Sequence, residues 1–334
     1  SDLKILYKNY PFRAGTARLW QSHCAMLMTS LDSPGRKFLL DIGSNDGTLL
    51  KEAADRGWKV LGIDPSPTDT KLPSLTGLWS SGVARAVTRL NGQADVITAT
   101  NVFGHVDDAK DFLEGIAITL KPRGLAIIEC PHIFPLLEEV AFDTIYHEHL
   151  SYWSLRPIEL LAESVGLKVI NVQMFPHLHG GTMRYILTPP EGKVKTSVTG
   201  LRILENAHFQ RGLEPYQEFA AKVRDNIDEF LRLIVSHKGE HIWGYGASAK
   251  GNVLLQAAQL PEGTIERIVD DTQAKWGFST PGTHIPITSA VDLADPDILI
   301  LLSWNNAKDL KNQARARGFR GEFLIPHPVP HLDS

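Results

Sequence analysis

Cysteine is nearly absent from this sequence: only Cys24 and Cys130 occur among 334 residues. Two thiols so far apart cannot build a Cys-rich zinc site alone, and they fit a reducing cytoplasm better than a disulfide-stapled secreted scaffold. Long apolar runs are missing as well. None approaches the ~20 residues that a membrane span requires. The first stretch, SDLKILYKNYPFR, is charged from its second residue on, which argues against a secretory signal. There is no long basic run, and the formal net charge is −4. Neither nucleic acid nor an anionic membrane is therefore the expected partner, although a local basic pocket for phosphates stays open.

What is present is an ordinary globular composition, with 43% apolar and 22% charged residues. A chain of this length exceeds one typical core, so two domains are expected. In Ala17–Leu31, Leu19, Trp20, Cys24, Leu27, Met28 and Leu31 recur at helical spacing. KFLLDIGSNDGTLLKEAADRG then reads as buried strand, glycine turn and helix, and KVLGIDPSP as a second strand with an acidic end. ADVITAT and GLAIIEC are further short apolar runs, each preceded by a helix. The polar, Pro- and Gly-punctuated stretch Pro189–Gly200 marks the domain boundary, giving domains over 1–190 and 200–334. Phe219, Val223, Ile227, Phe230, Leu231 and Ile234 then line a long amphipathic helix. HIWGYGASAKGNVLLQAA, IERIVDDTQAK and DPDILILLSWNNAKDL repeat the earlier grammar. The expected fold is α/β: two tandem Rossmann-like domains, each a mostly parallel sheet flanked by helices.

The first glycine turn points to a nucleotide. In LLDIGSNDGTLL, Asp41 ends the strand, Gly43 allows close backbone approach, and Asp46 leads into the helix. Asp64 ends the second strand at the distance where an acidic residue usually meets ribose hydroxyls. Dinucleotides favour a third glycine at the helix start, which is missing here. Carboxylates in the turn repel a pyrophosphate but suit a cationic sulfonium and amino group. The turn resembles the first motif of S-adenosylmethionine-dependent methyltransferases, which implies cofactor contacts for Asp41, Gly43, Asp46 and Asp64, and for Asn101 at the tip of a later strand. A structural turn without ligand is the competing reading.

TIYHEHLSYW gathers Tyr146, His147, Glu148, His149 and Tyr152. Metal binding is one reading: His147 and His149 would share a face of a strand, but Glu148 would point the other way, and no helical H-E-x-x-H is present. An ordered loop whose polar groups bond to backbone is a second reading. Proton abstraction is the third, because histidine titrates near neutrality, a neighbouring carboxylate supports it, and a tyrosine hydroxyl donates to a developing enolate. Methyl transfer to carbon needs these parts, since a C–H becomes nucleophilic only after a base removes a proton α to a carbonyl.

YPFRAGTARLWQSHCAML, LDIGSNDGTLL, NVFGHV, IYHEHLSYWS, HLHGGTMRY, GYGASAKGNV, PGTHIPI and LLSWNNA follow one another in the order seen in sugar C-methyltransferases. Over nearly the whole chain the sequence resembles that family, which methylates C-3 of nucleotide-linked 4-keto-deoxysugars. The resemblance implies S-adenosylmethionine as cofactor and a nucleotide-linked 4-keto sugar as partner. His149 would be the general base, Tyr146 the hydroxyl partner and Glu148 the supporting carboxylate. His105 and Tyr10 match further active-site positions. His179, Gly180, Gly181 and Arg184 match the H-G-G loop beside the substrate. Lys250 would meet the diphosphate, with Trp304 and Asn305 on the same side. Many relatives carry an N-terminal cysteine-rich zinc module, and the resemblance starts just after it would end. No metal is expected.

Two other functions compete. A nicotinamide-dependent oxidoreductase or epimerase would use GYGASAKG with Asp270 or Asp271, and a non-catalytic sugar-nucleotide binder would use the same loops without chemistry. The sequence leaves nucleotide, sugar stereochemistry and the choice between monomer and dimer open.

Overall fold

The structure, a computed structural model, describes residues 18–32, 34–35, 37–66, 70–176, 178 and 181–334. Contacts divide the chain into two compact units. The first takes the described residues up to Ile133 together with Leu150–His208, and the second takes Phe134–His149 and Phe209–Ser334. Among the described residues no helix is long and apolar enough to cross a membrane.

In the first unit, helix α1 (Arg18–Leu31) buries Cys24, Leu27, Met28 and Leu31 at the expected spacing, whereas Leu19 faces solvent. The alternation continues through β1 (Phe38–Ile42), α2 (Thr48–Asp55), β2 (Lys59–Asp64), β3 (Ser74–Thr76), α3 (Ser81–Asn91), β4 (Ala94–Thr100), α4 (Ala109–Thr119) and β5 (Leu120–Pro131). The chain leaves this unit at the start of the short helix α5 (Ile133–Glu138) and returns to it with α6 (Leu155–Ser164), β6 (Lys168–Phe175), β7 (Thr182–Thr188) and α7 (Thr196–Phe209). The seven strands order as β3-β2-β1-β4-β5-β7-β6, and only the pairs made by β7 are antiparallel. All five residues of β1 are buried, as a central strand covered on both faces requires. Strand order reverses between β1 and β4, and in open α/β sheets such a reversal opens the ligand crevice at the carboxyl ends of the strands.

The second unit is built from α8 (Glu214–Ser236), β8 (Ile242–Tyr245), α9 (Ala249–Ala258), β9 (Arg267–Asp270), β10 (Ile287–Ser289), β11 (Ile298–Leu301), α10 (Ala307–Ala316), β12 (Glu322–Ile325) and β13 (His331–Asp333). Its sheet runs β10-β9-β8-β11-β12-β13, parallel except for β13. Phe230 and Ile234 of α8 are buried, and Phe219, Val223, Ile227 and Leu231 pack beside them, as the helical spacing requires. Both units are therefore α/β with mostly parallel sheets, in agreement with the expected fold.

The division differs from the expected boundary at 190–200. Helix α7 stays with the first unit because its inner face is committed there: Val198 is buried, and so is the Glu205 carboxylate. Glu205 Oε1 accepts from the Leu155 amide at 2.6 Å and lies 2.9 Å from His132 Nε2, so it caps the start of α6. The stretch Phe134–His149 goes to the second unit because Val140 and Phe142 enter its apolar core. Replacing Glu205 with alanine should leave the α6 amides and His132 without their partner, at a cost of about 3 kcal/mol. Calorimetric unfolding checks this, with a smaller loss expected for Glu205→Gln.

Candidate active site

The cofactor-side residues gather at the carboxyl ends of β1, β2 and β4. Asp41 is buried within β1 and accepts from the Thr98 hydroxyl at 2.6 Å. Burial pushes its carboxyl up to about 7, against the pull of Thr98, and the Asp64 charge adds to the rise. Gly43 follows with φ +74°, and its amide donates to the Ile63 carbonyl at 2.7 Å. A Cβ at Gly43 would lie 2.2 Å from Val102 Cγ2, so only glycine fits the turn.

Asp64 holds this turn in place. Its Oδ2 accepts from the Asn45 amide at 2.9 Å and its Oδ1 from the Ser66 amide at 2.8 Å. Asp46 turns to the helix instead, its Oδ1 accepting from the Thr48 hydroxyl at 2.7 Å at the start of α2. Asn101 sits in the left-handed region with φ 56°, its amide donating to the Glu129 carbonyl at 2.8 Å. Its Oδ1 and the Ser44 Oγ are buried without a hydrogen-bond partner among the described residues. Buried polar atoms are rarely left open in a finished structure. A ligand with several hydrogen-bonding groups fits this end of the sheet, and the carboxylates suit a cation better than a phosphate. Ser44 gave no signal in the sequence beyond its place in the turn. It is packed against Gly62, where a Cβ would come 2.5 Å from the hydroxyl.

Elsewhere in the first unit, His105 closes the 3₁₀ turn Phe103–His105 and is partly buried. The Gly104 carbonyl accepts from the Leu150 and Ser151 amides, and the Phe103 ring stacks on Trp153 at 4.5 Å. Gly181 has φ +101° and donates to the Leu178 carbonyl. Arg184 departs from the expected substrate contact. It is buried, its Nε is 2.5 Å from Glu129 Oε1, and its guanidinium lies over Phe175. His23 completes this cluster at 2.8 Å from Glu129. A charge so enclosed is met by an opposite one, and here Glu129 meets it. Tyr10, His179 and Gly180 lie outside the described residues.

The YHEH stretch belongs wholly to the second unit. His149 Nδ1 is 2.7 Å from the Thr144 carbonyl oxygen, which can only accept. That bond assigns the ring proton to Nδ1 and makes Nε2 the basic nitrogen. Burial lowers the His149 pKa, the Thr144 contact opposes this, and the Lys250 charge lowers it further. The Tyr146 ring lies 4.2 Å from the His149 ring. Burial raises the carboxyl of the half-buried Glu148, with His147 pulling the other way. His147 itself is exposed. Among the described residues no three His, Cys, Asp or Glu side chains are placed to share a metal ion.

Lys250 and Trp304 come together in the same unit, after β8 and β11 at the strand-order reversal. The Lys250 ammonium is 4.9 Å from the Trp304 ring centroid, inside cation–π range. Asn305 is exposed beside it. The adjoining glycine turn copies the first unit: Gly246 donates to the Val269 carbonyl and Asp270 Oδ2 accepts from the Ala247 amide at 2.7 Å. Asp270 also accepts from the Thr272 amide and from Lys275 Nζ, and Asp271 pairs with Arg317 and the Tyr245 hydroxyl. Each aspartate is thus matched by a cation, Asp270 by Lys275 and Asp271 by Arg317. Asp143 and His327, both buried beside Trp304, carried no motif in the sequence.

Comparison with known proteins places the chain in a family. Residues 13–172 match a family described as a methyltransferase domain, and residues 177–328 one described as the C-methyltransferase C-terminal domain. The chain is 32% identical over 310 residues to C-methyltransferase NovU of Streptomyces niveus, covering 89% of this chain and 73% of that protein. A ubiquinone biosynthesis O-methyltransferase of Bordetella bronchiseptica is 32% identical over 133 residues, which is 37% of this chain and 51% of that one. The solved structure of an S-adenosylmethionine-dependent methyltransferase from Archaeoglobus fulgidus has a TM-score of 0.41 at 14% identity, covering 52% of this chain and 78% of that one. The chain belongs to the C-methyltransferases, enzymes whose cofactor is S-adenosylmethionine.

Gly43→Ala should lower S-adenosylmethionine affinity at least ~10-fold in calorimetry, because the turn must shift away from Val102. Adding Val102→Ala should recover part of that loss, leaving about 1 kcal/mol for the left-handed backbone.

Proposed function

We propose that this enzyme methylates C-3 of a nucleotide-linked 4-keto-deoxysugar through an enolate, with His149 as the base. The observation that carries this reading is the His149–Thr144 bond at 2.7 Å, which places the ring proton on Nδ1 and the basic lone pair on Nε2. Methylation of oxygen needs only a hydroxyl nucleophile; methylation of carbon needs a base able to break a C–H bond. NovU carries the C-methyltransferase name over most of this chain, which supports carbon as the acceptor.

His149 Nε2 takes the C-3 proton, and the electron pair of the C–H bond moves toward the 4-keto oxygen as the enolate forms. The Tyr146 hydroxyl donates to that oxygen, a contribution worth on the order of 10²-fold in rate. S-adenosylmethionine, when bound, would supply an electrophilic methyl on a sulfonium, with the neutral thioether S-adenosylhomocysteine as the leaving group. Glu148 supports the histidine. Lys250, with Trp304 and Asn305 beside it, receives the diphosphate. On the cofactor side, Asp41 and Asp64 set the charge of the turn, Gly43 its close approach and Asn101 its rim, while Asp46 acts through the start of α2. His105, Tyr10, His179, Gly180 and Gly181 keep the substrate-side positions that the family resemblance implies. For Arg184 the buried pair with Glu129 supports a role in holding β7 rather than in contacting the sugar.

Incubation with labelled S-adenosylmethionine and a panel of nucleotide-linked 4-keto sugars tests the reading. One member should gain a single methyl on carbon, and transfer only to oxygen acceptors would refute it.

The lowered His149 pKa sets the pH dependence. A base works once deprotonated, so a lowered pKa extends activity toward acid. The acidic limb of kcat should fall below the ordinary histidine value of 6.5. Lys250→Met removes a neighbouring cation and should move that limb upward, which a pH–rate profile reads directly.

A further inference from the structure

Asp143 lies in the 3₁₀ turn Phe142–Thr144, five residues after α5 ends at Glu138, and it is buried. Its neighbours Val140 and Phe142 are held in the apolar core of the second unit, so the carboxylate cannot swing out to water. Its Oδ2 accepts from Trp304 Nε1 at 2.5 Å and lies 3.6 Å from His327 Nε2. The other oxygen, Oδ1, is buried with no hydrogen-bond partner among the described residues, and the same holds for both His327 ring nitrogens and for Lys250 Nζ. One tryptophan ring joins these groups. Its N–H meets Asp143, and Lys250 rests over the ring, 4.9 Å from the centroid.

A buried carboxylate with a single hydrogen bond is costly unless an opposite charge is close. Lys250 is the cation that shares the Trp304 ring with Asp143, and it too lacks a hydrogen-bond partner among the described residues. Open polar atoms concentrated in one place also match a ligand that completes them. We propose that Asp143 is a positioning residue: it is the counter-charge that fixes Trp304 and keeps Lys250 available as a cation for the anionic end of the substrate. This rests on the reading of Lys250 as the diphosphate partner.

Burial pulls Lys250 below the ordinary lysine range, while Asp143 and then Glu139 push it back up. Lys250 in turn lowers His149 and His327. The titratable groups that act on Lys250, or on which it acts, are thus Asp143, Glu139, His149 and His327. If Asp143 becomes neutral, Lys250 must release its proton at lower pH. Asp143→Asn keeps an acceptor for Trp304 while removing the charge, and Asp143→Glu keeps the charge.

The test uses the full chain with reductively ¹³C-methylated lysines, the Lys250 signal being assigned by its loss in Lys250→Arg. In Asp143→Asn the Lys250 titration should shift toward acid by about one pH unit, the lower end of the effect of a close opposite charge. Asp143→Glu should restore most of it. Calorimetry with inorganic pyrophosphate should show affinity about 10-fold weaker in Asp143→Asn at alkaline pH, with little change where both proteins keep Lys250 charged. An unchanged Lys250 titration in Asp143→Asn overturns the proposal. If Lys250→Met binds pyrophosphate as tightly as the parent, the diphosphate reading of Lys250 is what fails, and the lysine titration still decides whether Asp143 is its counter-charge.

Discussion

A histidine acts as a base through the ring nitrogen that carries no proton, and at His149 the tautomer is set by a backbone carbonyl. Thr144 supplies the carbonyl at 2.7 Å, and Thr144 is itself held by its hydroxyl bond to the Ala141 carbonyl. Val140 and Phe142 anchor this stretch in the core of the second unit. Packing of two apolar side chains thereby fixes the tautomer of a catalytic candidate several residues along the chain. Burial then keeps the imidazole neutral at a pH where a free histidine would be partly charged.

The two units use one local device for two purposes. In each, a glycine with positive φ follows the first strand, its amide donates into the second strand, and the acid ending that second strand receives the next free amide of the turn. Asp64 takes Asn45, and Asp270 takes Ala247. The surroundings then diverge. Around the first turn stand Asp41 and Asp64, which favour a cationic ligand. Around the second stands Lys275, bonded to Asp270, with Lys250 at the start of α9. Charge, not backbone geometry, separates the two turns.

Much of this was legible in the sequence. The buried run FLLDI, the acid at Asp64 and the helical spacing of Phe230 and Ile234 each follow from a local rule about which faces are covered. The joining of His149 with Lys250 in one unit was not legible, because these residues stand a hundred positions apart and no periodicity connects them. Asp143 and His327 were invisible for the same reason: an isolated acid or histidine acquires meaning only from the burial that surrounds it. Arg184 misled because it sits in a substrate-side motif, yet Glu129, 55 positions away in sequence, claims its charge. Contacts keep α7 with the first unit beyond the expected boundary at 190–200, because Pro and Gly mark only a turn while Glu205 bonds the helix to the start of α6.

The central claim is that His149 breaks a carbon–hydrogen bond before any methyl moves. Hydrogen exchange reads that step alone. With S-adenosylhomocysteine in place of the methyl donor, the enzyme should wash deuterium from heavy water into C-3 of its 4-keto sugar, and His149→Ala should stop the exchange while still binding S-adenosylhomocysteine. Exchange at the parent rate in His149→Ala would contradict the assignment of the base.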